Sequence, residues 1–260
     1  MDNKMIKYAA LAFSLVSVPV FANSTLSSMS NVPDVKSEAK KGFNGQVGLG
    51  LTNVSEYIGA KNTESIFVPL VNVNYNDTFY IKFNRLGAWF YKSDNGFRVG
   101  GVLTRQAGYD KNELPDNLIN KVRKEDTTLV GVNAQYKKGK FSAEAGFLMG
   151  TGDNGKNNEG SEGGKFYAQA GYTFLATAQY TLTGMVKLEK WDEDLVEYYY
   201  DTKETSTNVT VGLVGTYKLN DKWTMLGAVT ATSLGDEIAD SAIAEDDSSN
   251  MILLGATYSF

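Results

Sequence analysis

The chain ends in mid-strand on an aromatic residue. Over residues 250–260, NMILLGATYSF, Ile252, Leu254, Ala256, Tyr258 and Phe260 share one face of a strand, and Gly255, Thr257 and Ser259 share the other. A soluble domain has little reason to stop on a bare aromatic strand. A transmembrane barrel does, because its last strand must pair with its first to remove both edges. Gly255, Tyr258 and Phe260 therefore form an expected barrel-assembly signal, the feature that assembly machinery in an outer membrane would read.

The other end is consistent with export. Lys4 and Lys7 precede an apolar run from Tyr8 to Phe21, and Val20-Phe21-Ala22 has the small residues of a signal-peptidase site. Residues 1–22 are therefore expected to be a cleaved signal peptide, too short and wrongly flanked for a retained helix. Pro19 beside the site disfavours an ordinary core helix. Beyond the signal no apolar run approaches the roughly 20 residues of a membrane helix. A chain that enters a membrane without such helices must do so as a closed barrel, since lipid leaves no other partner for its backbone. The 26 Gly, 15 Tyr and 13 Phe suit that architecture, with small residues for a crowded lumen and aromatics for the interfaces.

Residues 23–42 are polar and Ser-rich and read as a periplasmic lead-in. The barrel is expected over 43–260. Alternating segments of about ten residues, the length of a tilted spanning strand, lie at 43–53, 65–75, 78–91, 96–106, 127–137, 140–150, 165–174, 178–189, 207–218, 222–233 and 250–260. In 140–150, Phe141, Ala143, Ala145, Phe147 and Met149 point outward, and Ser142, Glu144, Gly146 and Gly150 point inward. Connections alternate between short (Asn76-Asp77, 93–96, 137–140, 175–177, Asn220-Asp221) and long (54–64, 107–126, 151–164, 190–206, 234–249). Short turns face the periplasm in such barrels. This alternation survives only if 78–91 is two short strands turning near residues 84–87, giving an all-β antiparallel up-and-down barrel of twelve strands, with ten as the alternative. Tyr75, Phe79, Tyr136, Phe141, Tyr180, Tyr217 and Trp223 then crowd the short turns as a periplasmic aromatic girdle.

The order of the segments resembles the MipA/OmpV family of outer-membrane proteins. The matching stretches are GLGL (48–51), Tyr57-Ile58-Gly59, VPLVNVNY (68–75), FYIKFNRLGAWF (79–90), VEYYYDTKE (196–204), TYKLNDKW (216–223) and SLGDEIADSAIAED (233–246). The run Leu234-Gly235-Asp236 followed by Ala239-Asp240-Ser241 is the most specific. Tyr199-Tyr200-Asp201-Thr202 and Ala107-Gly108 depart from the sequences of many relatives. The resemblance implies a non-enzymatic scaffold that brings the lytic transglycosylase MltA together with a peptidoglycan synthase, with surface antigens and adhesins among other members. It brings no catalytic residues.

The chemistry of the chain agrees with that implication. It contains no His and no Cys. Barrel hydrolases and acyltransferases generally use His as their proton carrier, and a metal site built on His or Cys is impossible. No catalytic, cofactor-binding or metal-binding residue is expected. A net charge of −5 gives no support for nucleic acid as a partner. The expected partners are outer-membrane lipid, lipopolysaccharide, the barrel-assembly machinery and the two cell-wall enzymes. Gly150-Thr-Gly152-Asp-Asn-Gly155 fits a dinucleotide pattern but lacks the strand-helix unit around it, so it reads as a loop. Glu144, Lys165, Lys187 and Glu189 fall on lumen faces, where they form either a polar solute path or a mutually paired plug. The first would make the protein a passive channel for small solutes. Asp192, Glu193, Asp194, Glu197, Asp201 and Glu204, with Lys203, in one long connection, and Asp236, Glu237, Asp240, Glu245, Asp246 and Asp247 in the next, read as hydrated acidic outer loops, with divalent-cation binding as the alternative. Tyr198-Tyr199-Tyr200 reads as part of an outer girdle.

Overall fold

The computed structural model describes residues 41–110, 113–114, 118, 123–153 and 160–260. The expected signal segment, and the lead-in as far as residue 40, lie outside the described residues. Twelve antiparallel strands close into one barrel. They are β1 (Phe43–Ser55), β2 (Thr63–Tyr75), β3 (Phe79–Lys82), β4 (Arg85–Lys92), β5 (Phe97–Gln106) and β6 (Thr127–Lys138), followed by β7 (Phe141–Gly150), β8 (Gly164–Ala176), β9 (Tyr180–Trp191), β10 (Ser206–Lys218), β11 (Trp223–Ser233) and β12 (Ser248–Ser259). Every strand pairs with its neighbours in sequence. β1 closes on β12 from Gln46↔Ser259 to Val54↔Met251.

The period of two decides which side chains meet lipid. In β7, Phe147 and Met149 are exposed on the outer wall while Ser142, Glu144 and Leu148 are buried in the lumen. In β10, Val209, Val211 and Leu213 stand outside and Asn208, Thr210 and Val214 inside. The wall is apolar all round, as a lipid-facing surface must be.

Residues 78–91 do contain the predicted reversal, but it falls at Phe83-Asn84 rather than at 84–87. Phe83 takes a left-handed φ of +50° there, and Asn84 is fully buried. The hairpin is thus drawn into the barrel instead of ending above it. The turn expected at 175–177 lies at 177–179, because β8 runs on to Ala176.

The long connections pack together over one mouth of the barrel. Glu193–Tyr200 forms an α-helix, α1, where an acidic loop was expected. Asp192 caps it, its carboxylate accepting from Leu195 N at 2.9 Å, and Glu193 and Asp194 favour its positive end. Asp201 ends it in the left-handed conformation, φ +57°. A helical turn, α2 (Asp236–Ala239), follows β11.

Candidate functional site

The lumen and its cap are where the chain concentrates unusual chemistry. On one side of the lumen, Glu144 of β7 accepts from four neighbours. Arg85 Nη1 lies at 2.7 Å, Tyr167 Oη at 2.6 Å, Gln135 Nε2 at 3.0 Å and Asn133 Nδ2 at 3.3 Å. The Arg85 guanidinium also stacks over the Tyr167 ring at 4.7 Å. Toward the capped mouth, Glu189 sits between Lys165 (2.9 Å) and Lys187 (3.0 Å), and Lys165 donates to Gln106 Oε1 at 2.9 Å. The side chains of these five charged residues are only 3–6% exposed. Charges in a water-filled passage would be wet, whereas these are paired with one another and shielded from solvent.

The opposite side of the lumen is apolar. Val68, Leu70, Val214, Met251 and Leu253 form a buried cluster against which Phe83 of the hairpin packs. Gly255 belongs to this geometry. A Cβ there would lie 2.5 Å from Leu70 Cδ1 and 2.8 Å from Leu49 O, so only glycine lets Leu70 fill the space.

The cap is a second hydrophobic core, outside the barrel proper. Trp191, Leu195, Val196, Tyr199, Ile238 and Ile243 are its most buried members, with Leu234 packed among them. Tyr198, Tyr199 and Tyr200 are buried within it, which corrects their assignment to an outer girdle. Their hydroxyls are tied to the surroundings: Tyr199 Oη lies 2.7 Å from Thr127 Oγ1, and Tyr200 Oη donates to Ile58 O at 2.8 Å. Tyr57 Oη donates to Ile243 O at 2.8 Å. Gly59, at φ +88°, offers its carbonyl to both Glu245 N and Asp246 N. Burial holds the hydroxyls of Tyr57, Tyr109, Tyr199 and Tyr200 in their neutral form, with pKa values well above the usual phenol range. Three stretches that carried the family resemblance, 57–59, 196–204 and 233–246, thus meet in one structure, the cap.

A family model for the MltA-interacting protein MipA matches residues 47–260. The chain belongs to the MipA family. Among solved structures, the MipA-family chain is similar to the translocator domain of the autotransporter NalP from Neisseria meningitidis (10% identity, 91% of this chain and 94% of that one covered, TM-score 0.48). It is similar also to a COG4313 outer-membrane channel from Pseudomonas putida F1 (10%, 88% and 100%, 0.44) and to OmpT of Vibrio cholerae (11%, 88% and 100%, 0.42). No curated protein matches it.

The residues singled out for assembly and anchoring fall as follows in this MipA-family barrel. Tyr258 is on the outer wall, edge-to-face with Trp223 at 5.3 Å. Phe260 is exposed at the short-turn end, its N–H donating to Gly45 O at 3.1 Å. Tyr75 packs on Phe43 at 4.7 Å and pairs across strands with Phe79. Tyr136 pairs with Phe97. Phe141 faces Tyr172, and Tyr180 stacks on Tyr217 at 4.8 Å. All lie at the short-turn end. Among the described residues no group of His, Cys, Asp or Glu side chains could hold a metal ion. Sequence reasoning placed Glu144, Lys165, Lys187 and Glu189 inside but missed Arg85 and Tyr167. Arg85 was hidden because the reversal that turns it inward was assigned one residue late.

Proposed function

We propose that this MipA-family protein is a sealed outer-membrane scaffold for peptidoglycan-remodelling enzymes rather than a conduit or a catalyst. The observation that carries this reading is the lumen, filled on one side by the Arg85–Glu144 and Lys165–Glu189–Lys187 clusters and on the other by Leu70, Met251 and Leu253, beneath a cap with its own core. A barrel with its interior occupied has its surfaces left for function. The family's description as MltA-interacting supports a lytic transglycosylase as the partner, and the sequence resemblance adds a peptidoglycan synthase.

On this reading the signal is removed after Ala22, and outer-membrane lipid and lipopolysaccharide surround the wall. The girdle of Tyr75, Phe79, Tyr136, Phe141, Tyr180, Tyr217 and Trp223 sits at the periplasmic interface. Gly255, Tyr258 and Phe260 hand the last strand to the barrel-assembly machinery. The turns at that end are two to four residues long and offer little area against the roughly 800 Å² per partner of a standard interface. The lead-in over residues 23–42 is the remaining periplasmic stretch, and its Ser, Asn and Lys content suits ordering upon a partner.

The test is capture of purified MltA by the full chain and by a chain lacking residues 24–38, both checked for barrel folding by heat-shifted electrophoresis. The expected result is capture by the first and weakened capture by the second. Undiminished capture by the trimmed chain would move the contact to the turns. Absence of capture by the intact protein would overturn the scaffold reading.

A further inference from the structure

The lipid-facing wall is not uniform. A groove of about 790 Å³ crosses it over β7 to β12, and its course follows the strand register. Phe141 pairs with Tyr172, Tyr172 with Gly184, Gly184 with Leu213, Leu213 with Val229 and Val229 with Ile252. All six positions face outward by alternation. The next outward row, Ala170, Val186, Val211 and Ala231, forms the other side of the groove. The wall is low where Gly184 and the two alanines carry little side chain.

The groove has the depth of one leaflet. Five strand spacings of about 4.8 Å make the row from Phe141 to Ile252 roughly 24 Å long. Strands tilted by about 40° turn that length into a climb of about 15 Å. A hydrocarbon core of about 30 Å is twice as thick. Phe141 opens β7 at the short-turn end, so the row starts at the membrane interface and rises toward the middle of the wall.

The lower end of the groove meets a basic turn. Lys137-Lys138-Gly139-Lys140 leads into Phe141. Lys138 pairs across strands with Phe141. The carbonyl of Lys140 accepts from Thr173 N at 2.9 Å, which places this lysine beside Tyr172 and Phe174, two rings that stand edge to face at 5.5 Å. Lys138 and Lys140 are both exposed, and neither has a carboxylate partner among the described residues. The turns on either side, 93–96 and 177–179, carry one acid between them, Asp94. Bulk lipid requires only an apolar wall. An apolar groove that ends at two uncompensated ammonium groups fits a hydrocarbon chain with an anionic head.

We propose that the groove and the Lys138–Lys140 turn bind one anionic glycerophospholipid from the leaflet at the short-turn end. One acyl chain lies along the row from Tyr172 to Ile252, and the phosphate lies between the two ammonium groups. The long stems of lysine let the charges reach headgroup level while their methylenes cover apolar wall. This site refines the reading that outer-membrane lipid surrounds the barrel. It involves no enzyme partner, so it and the scaffold reading can fail separately.

The test is native mass spectrometry of the full-length protein titrated in micelles with dioleoylphosphatidylglycerol, with dioleoylphosphatidylcholine and lipid A as comparators. One phosphatidylglycerol should be retained per chain. It should bind about 25-fold more tightly than phosphatidylcholine, since each lysine near an anionic lipid contributes about fivefold. Lys138→Gln with Lys140→Gln should erase that preference, leaving phosphatidylcholine binding and the folded electrophoretic band unchanged. Ala170→Leu with Ala231→Leu fills the groove at outward positions and should weaken both phospholipids. Equal retention of the two phospholipids by the unaltered chain would overturn the proposal, as would tighter retention of lipid A. So would a preference that survives the lysine pair, or phospholipid retention indifferent to the alanine pair.

Discussion

Replacing Glu144 with Gln should be among the most damaging single substitutions in the lumen. The change keeps the shape but removes the charge 2.7 Å from the Arg85 guanidinium, and it puts an NH2 among donors that all point at the carboxylate. Arg85 and Glu144 are 5% and 3% exposed, so water cannot step in. Removing one partner of a buried pair costs about 3–5 kcal/mol. With a urea dependence of about 2 kcal/mol per molar, that is a fall of about 2 M in the unfolding midpoint. Much of this is the cost of stranding charge rather than the net value of the pair. Arg85→Leu together with Glu144→Leu should therefore recover at least half of the loss, and the two single losses should sum to more than the double one. The assay is urea unfolding in phospholipid vesicles, followed by tryptophan fluorescence and electrophoretic shift. A loss below about 1 kcal/mol for Glu144→Gln, or simple additivity in the double variant, would mean that water reaches the pair, and the plug argument would fail.

Deleting Phe260 should lower the membrane-inserted fraction and raise periplasmic degradation; normal barrel levels in fractionated cells would remove the assembly role of the C-terminal strand. The chain has no cysteine, so single cysteines report topology: one at Lys203, 78% exposed in the capped mouth, should react with an impermeant maleimide on intact cells, whereas one at Asp221 should not. The reverse pattern would invert the barrel. Ser248 donates from its hydroxyl (2.8 Å) and amide (3.0 Å) to Asp246, holding that carboxyl below its ordinary range. The lowered value means this contribution is complete above the ordinary aspartate pKa of about 3.9 and fades as pH falls through the lower folded value. Amide-exchange protection at Ser248 should follow that course and be flat across it in Asp246→Asn.

How far the sequence speaks can be judged residue by residue. The outer faces of β7 and β10 follow directly from a strict alternation, because one side meets lipid and the other does not. The count of twelve strands came from loop lengths, which are local. What lay hidden is what depends on three dimensions. Arg85 reaches Glu144 across fifty-nine positions, and only the early turn at Phe83-Asn84 aims it inward. Tyr198, Tyr199 and Tyr200 look like a surface cluster in the sequence, since neighbouring acids mask the apolar stripe that α1 makes of Leu195, Val196 and Tyr199. The acidic residues solvate the outer side of the cap while the rings build its core.

The account rests on a barrel whose interior is occupied by the paired charges and the apolar cluster. Single-channel recording of the purified protein in planar bilayers tests this most directly. The sealed lumen predicts a baseline without discrete current steps on insertion, at either polarity and in any simple salt. Reproducible steps of fixed size that scale with salt concentration would contradict it, and would make the protein a channel.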